Sequence, residues 1–186
     1  VEEAGALLAR ARERDPGNLS LTLRLADCAS RAGRAEEAAA SYRLAVDSDP
    51  SDPRGAYGLS EVLLRLGDVA GARAALQTAF ELSGEELLAR RLEGARDPQA
   101  IADVRAAASR LRLSRLEALA RERYVSPLDL ARLHALLGDR DAAFAGLEAA
   151  ESEGSPGLAF LRVDDAFRGI RDDPRFEALV ARLALP

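Results

Sequence analysis

Tryptophan, methionine and lysine are absent from this chain of 186 residues, and cysteine and histidine occur once each. Aromatic residues make up only 4 % of it, while hydrophobic residues make up 48 %. A core of that composition cannot be filled by large rings. It has to close through near approach of backbones and contacts among alanine, leucine and valine, which favours helices packed on helices. Without lysine there is no Schiff-base chemistry and no phosphate-binding lysine. One cysteine makes no internal disulfide, so the redox compartment stays open. No Cys/His cluster has metal-ligand spacing and no glycine pattern has the spacing of a phosphate cradle. No apolar run approaches the ~20 residues that span a bilayer. A net charge of −5 lacks the electrostatic footprint of a nucleic-acid binder. The expectation is a cytoplasmic segment with no cofactor, no nucleic acid and no membrane partner. Because the chain starts at Val1 without a methionine, it reads as a piece of something longer.

What the chain has in place of these is a step. Ala4, Ala38 and Ala72 stand 34 residues apart, and so do Leu8, Tyr42 and Leu76, then Ala11, Ala45 and Ala79. Gly33 and Gly67 keep the same step, as do Leu25 and Leu59, and Pro16 and Pro50. Asp15-Pro16-Gly17-Asn18 and Asp49-Pro50-Ser51-Asp52-Pro53 break helices, with Asn18 and Asp52 placed to cap the next ones. Gly33 and Gly67 close a first helix through a left-handed residue. A second helix follows at once, with Glu36, Glu37 or Asp68 in its first turn. Each unit is therefore two antiparallel helices. In the second of them Ala38 and Ala45 let a neighbour come close while the Tyr42 ring fills the gap beside them.

Leu25, Ala26, Gly33, Ala38, Tyr42, Ala45 and Pro50, with Leu59, Ser60, Gly67, Ala72, Leu76 and Ala79 one step later, resemble the tetratricopeptide repeat family. That resemblance implies an all-α, right-handed superhelical solenoid of antiparallel helix pairs, ending here in a C-terminal helical cap. Residues 1–186 then form one array. It comprises 1–17 as the second helix of a truncated repeat, repeats at 18–51 and 52–84, an irregular helical insert at 85–123, a repeat at 124–154 and a cap at 155–186. Within the insert the spacing suggests helices at about 85–95, 98–111 and 114–123, the last opened by a Ser114-x-x-Glu117 capping box. Leu158, Phe160, Leu161, Val163, Phe167, Ile170, Phe176, Leu179 and Val180 form the apolar face of the cap. Residues 124–183 are also similar to the tetratricopeptide tails of bacterial signalling proteins, namely Ser/Thr kinases and winged-helix transcription regulators. They carry the Tyr124-Val125-Ser126-Pro127 opening and the Asp173-Pro174-Arg175-Phe176 close, and depart from the group at Gly157 and Asp165.

Few residues suggest chemistry. Cys28 and His134 could pair as nucleophile and base, but no orienting Asn or Asp motif accompanies them, and packing is the simpler role. Asp164-Asp165 and Asp172-Asp173 could hold a cation, yet no loop supplies ligands at alternating positions, and Asp164 and Asp173 read as helix caps. The chain is expected not to be an enzyme, an overlooked site being the third alternative. The resemblance implies a groove lined by the first helix of each unit, here by Leu23, Asp27, Ser30, Arg31, Tyr57, Glu61, Leu64, Arg65, Leu128 and Arg132. Such a mixture suits a partner helix or an extended peptide. The lysine and asparagine clamp that grips a C-terminal carboxylate in one subset of the family is not matched, since Leu23, Asp27, Tyr57 and Glu61 hold those turns. A basic stretch at 105–123, with six arginines against two glutamates, offers a second docking patch through Arg105, Arg112, Arg115 and Arg123. The alternative to a protein partner is self-association through an exposed N-terminal face around Ala4, Leu7, Leu8 and Ala11.

Overall fold

Helix caps announced in the sequence set the element boundaries. The computed structural model describes residues 2–184, with side chains from residue 5 onward, and among these residues every regular element is helical. The elements are α1 (Glu2–Arg14), α2 (Leu19–Arg31), α3 (Ala35–Ser48), α4 (Pro53–Arg65), α5 (Val69–Leu82), α6 (Glu86–Glu93), α7 (Pro98–Ala120), α8 (Pro127–Leu136) and α9 (Arg140–Ser152). Two 3-10 turns, Pro156–Phe160 and Asp165–Ile170, lead to α10 (Pro174–Arg182). Asn18 accepts from the Leu21 amide at 3.3 Å, Asp52 from Arg54 at 2.9 Å and Asp68 from Gly71 at 2.8 Å. Each such cap satisfies an amide that the helix itself leaves without a partner, and is worth about 1 kcal/mol. At the other end of α2, Gly33 turns to φ 77°, which lets Arg34 N–H reach Ala29 O at 2.9 Å while Gly33 N–H reaches Ser30 O at 3.1 Å. Gly67 closes α4 in the same way at φ 80°. A side chain there would carry the left-handed penalty of about 1–2 kcal/mol.

The chain divides into two compact units, Val1–Val104 and Arg105–Pro186, and the division falls inside α7. In the first unit each of α1 to α5 packs on the next in sequence order, and α2 also touches α4. Its core gathers Leu23, Ala26, Ala29, Ala38, Ala39, Tyr42, Ala45 and Val62. The opening expectation for Ala38, Tyr42 and Ala45 has a sharper physical form in the structure. α4 presents Gly58 to the Tyr42 ring so closely that a Cβ at 58 would lie 2.3 Å from Tyr42 Cε1. One turn earlier, a Cβ at Gly55 would meet Val46 Cγ2 at 3.1 Å. Ring and glycine thus let α3 and α4 nest, and the buried ring excludes water from the seam. The apolar face expected on α1 is exposed at Leu7 and half-buried at Leu8 and Ala11. The side chain of Ala4 lies outside the described residues.

In the second unit α8 and α9 pair through another close approach, where a Cβ at Gly146 would lie 2.9 Å from Ala131 Cβ. Leu128, Phe144, Leu147, Leu158, Phe167, Ile170, Phe176, Leu179 and Val180 share one core, so the C-terminal segment is built into this unit. Phe160 is a correction to the expected cap, for it is 55 % exposed, on the outer side of a 3-10 turn whose inward position is taken by Leu158. Gly157 sits directly over Leu128, where a Cβ would be 2.5 Å from Leu128 Cδ2, so a larger side chain there would have to displace the tip of that leucine.

The insert also differs from expectation. The two helices expected at 98–111 and 114–123 are one helix, α7, and Ser114 lies in its interior where it opens nothing. No glycine or proline stands between Leu111 and Arg115, and the arginines and leucines of this stretch are strong helix formers. The capping-box spacing therefore had nothing to interrupt. Ile101 and Val104 are buried, whereas no side chain from Arg105 to Ala120 is.

Candidate interaction surface

The first unit carries eight of the ten residues expected to line a groove, on α2 and α4. Leu23 is a correction, because it lies buried in the core beneath the surface. Ser30 is buried too, Asp27, Glu61 and Leu64 are half-buried, and Arg31, Tyr57 and Arg65 are exposed. Two contacts fix this face. Tyr42 reaches from α3 and donates its hydroxyl to Asp27 Oδ1 at 2.5 Å. Arg65, at the end of α4, donates through Nη1 to Ser30 O at 3.2 Å and through Nη2 to Ser30 Oγ. Ser30 belongs to the last turn of α2, so the guanidinium also meets the negative end of that helix.

The electrostatics follow from that placement. Burial pushes the Tyr42 phenol well above the usual tyrosine range, the hydrogen bond to Asp27 adds to this, and the negative charges of Asp27 and Glu61 add again. Arg31 opposes them weakly. Tyr42 is thus held as a neutral donor that orients the Asp27 carboxylate. Sequence reasoning treated Tyr42 as a space-filling ring and missed this role. The signal that pointed to it was a tyrosine, with its polar tip, at the slot that Leu8 and Leu76 take one step either side.

In the second unit the two remaining lining residues are placed differently. Leu128 is a core residue under Gly157, a second correction. Arg132 is spoken for, since Nε donates to Asp164 Oδ2 at 2.7 Å and Nη1 to Asp129 Oδ1 at 2.9 Å. Of the two acidic pairs, Asp164, Asp172 and Asp173 are held by arginines or backbone amides. Asp164 caps the second 3-10 turn through Ala166 N–H at 3.0 Å, and Asp173 caps α10 through Arg175 N–H at 3.0 Å. The Arg175 guanidinium, bonded to Asp173, draws its carboxyl down to about 2. Arg140 bonds Gly169 O at 3.0 Å and pairs with Asp172 at the same distance. Arg175 also lies 4.2 Å from the centre of the Phe144 ring, a cation–π contact to α9. Of the basic patch, Arg112, Arg115 and Arg123 are exposed and Arg105 is half-buried.

Cys28 is half-buried on α2 of the first unit rather than packed in the core, and His134 is half-buried on α8 of the second. His134 Nδ1 stands 3.5 Å from Asp139 Oδ2, an acid that caps α9 through Ala142 N–H. Among the described residues, no group of three or more His, Cys, Asp and Glu side chains has the placement of a metal site.

Successive helix pairs closed by a left-handed glycine, with a small-residue seam between them, define a helical repeat protein. The tetratricopeptide repeat family model matches residues 1–55 and 31–95, so the chain belongs to that family. No curated protein matches it. Among solved structures, the chain is similar to YrrB, described as a tetratricopeptide protein with an unusual peptide-binding site. The identity is 17 % and the TM-score 0.41, over 94 % of this chain and 89 % of that one.

Proposed function

We propose that this chain is a non-enzymatic interaction module that holds a peptide or a helix of a partner protein against the α2–α4 face of its first unit. The observation that carries this is the recurrence of surface chemistry at the repeat step. Asp27 and Glu61 are both acids, and Arg31 and Arg65 are both arginines, all on first helices. Polar side chains held in place on rigid helices, with Tyr57 exposed among them, suit recognition of another chain. The parent is a larger bacterial regulatory or signalling protein, a reading that rests on the likeness of residues 124–183 to tails of that kind. Selection of a displayed random-peptide library against the chain tests the module. Enriched peptides whose binding is lost in Tyr57→Ala support it, and selection that enriches nothing above a bare-surface control overturns it.

A second reading is favoured by Leu7, which is 60 % exposed on α1. A large apolar side chain exposed on α1 suits contact with another copy of the chain. Light scattering across a concentration series decides this one, since a constant monomer mass removes it. The basic stretch of α7 is offered as an additional dock for an acidic partner, and charge reversal of Arg112 and Arg115 that leaves partner affinity unchanged removes it.

A further inference from the structure

Independently of the groove, we propose that the uncovered side of α1 docks an amphipathic helix of a partner protein, one that carries the leucine–alanine–alanine stripe of this chain's own first helices. The repeat step supplies the comparison. It carries Leu8 of α1 to Tyr42 and Leu76, and Ala11 to Ala45 and Ala79. Ala45 and Ala79 are each 1 % exposed, and Tyr42 and Leu76 are buried with them. Ala11 is half-buried, and so is Leu8. Leu7 beside them is 60 % exposed, whereas its counterparts Ser41 and Ala75 are half-buried. Because positions 11, 45 and 79 hold the same side chain, the difference lies in what covers the slot.

The rest of the first unit says what that cover is. α3 packs on both α2 and α4, and α5 on both α4 and α6. α1 packs on α2, which stands to it as α4 stands to α3, and among the described residues no counterpart of α2 lies on its other side. In the complete case α2 brings Leu23, Ala26 and Ala29 into one buried core with Ala38, Tyr42 and Ala45 of α3. Residues three apart lie along one side of a helix, so these three make a stripe whose alanines let the backbones approach. Leu7, Leu8 and Ala11 fall on one side of α1 by the same periodicity. A helix that repeats the stripe of α2 therefore continues the α2–α3 interface by one step. A second copy of the chain would offer its own α1, a second helix, whereas α3 and α5 both pack on first helices.

The probe is a fluorescein-labelled peptide of residues 18–34 with Cys28→Ala, set against a scrambled peptide of the same composition. Fluorescence anisotropy with the whole chain is expected to show the probe bound about tenfold tighter than the scrambled peptide. Leu7→Glu, at an exposed position and checked for an unchanged thermal melt, is expected to weaken the probe about tenfold, and Leu7→Met to keep it. A chain carrying a second copy of residues 18–34 joined ahead of Val1 supplies a first helix in cis at the 34-residue step, and is expected not to bind the probe. A probe held no tighter than the scrambled peptide overturns the proposal. So does binding that survives Leu7→Glu or the added helix, since the peptide then enters elsewhere, at the groove or in place of α2. A chain that binds no probe and doubles in mass with concentration in light scattering gives this face to a second copy, which overturns the proposal as well.

Discussion

Tyr42 and Asp27 join α3 to α2 by a 2.5 Å hydrogen bond whose donor ring lies against Gly58 of α4. One side chain thereby ties three consecutive helices, and it sits at the contact between two repeats. Replacing it with phenylalanine keeps the ring and deletes the donor. Because the acceptor is charged and half-buried, Tyr42→Phe is expected to cost about 1.5–3 kcal/mol, toward the lower end as water replaces the hydroxyl. Urea unfolding measures this, and a midpoint unchanged from the parent chain would mean that the bond contributes nothing.

Alkaline titration reads the same group without mutation. The folded phenol is raised above its ordinary value of 10, so its stabilising effect is complete below pH 10 and is lost as pH rises beyond it. The near-ultraviolet phenolate absorbance of Tyr42, taken as the difference from Tyr42→Phe, is expected to appear only together with loss of helix. Ionisation of Tyr42 near pH 10 with circular dichroism intact contradicts its burial.

Small residues at the α3–α4 seam are expected to resist enlargement. Gly58→Ala gains about 1 kcal/mol of helix propensity but drives a methyl into the Tyr42 ring, an overpacking cost of about 1–3 kcal/mol. The clash wins while the ring is present. With Tyr42→Leu in the background the sign is expected to reverse, which a double-mutant cycle in urea detects. Ala38→Leu, at a fully buried position, is expected to lose about 1–3 kcal/mol.

The C-terminal cap is expected to be acid-sensitive. Asp173 has its carboxyl held at about 2 by Arg175, below the ordinary 3.8. A depressed carboxylate stabilises the fold above pH 3.8, and that contribution disappears as pH falls through about 2. Thermal midpoints of the parent and of Asp173→Asn are therefore expected to differ at pH 5 and to converge toward pH 2. A difference independent of pH would assign the effect to the cap hydrogen bond alone.

Much of this architecture is written in local signals. Gly33, Gly67, Asn18 and Asp52 announce where helices stop and start, since only certain residues satisfy a left-handed turn or an orphan amide. The alanines at 38, 45, 72 and 79 announce close packing by their spacing. The continuity of α7 was hidden because Ser114-x-x-Glu117 has the form of a cap, and whether a cap acts depends on an interruption that α7 lacks. Leu23 and Leu128 were expected in the groove because of their register. Depth beneath a surface is set by neighbouring helices, and register alone does not report it. The Tyr42–Asp27 bond spans two helices, so no local spacing displays it.

Chemical-shift mapping tests the central claim most directly. The 15N-labelled chain, titrated with a peptide selected from the displayed library, is expected to show amide shifts gathered on α2 and α4 around Asp27, Arg31, Tyr57, Glu61 and Arg65. Exposed positions of the second helices, such as Arg43 on α3 and Glu81 on α5, are expected to stay still. Shifts concentrated on α3 and α5, with α2 and α4 unmoved, would contradict the assignment of the partner to this face.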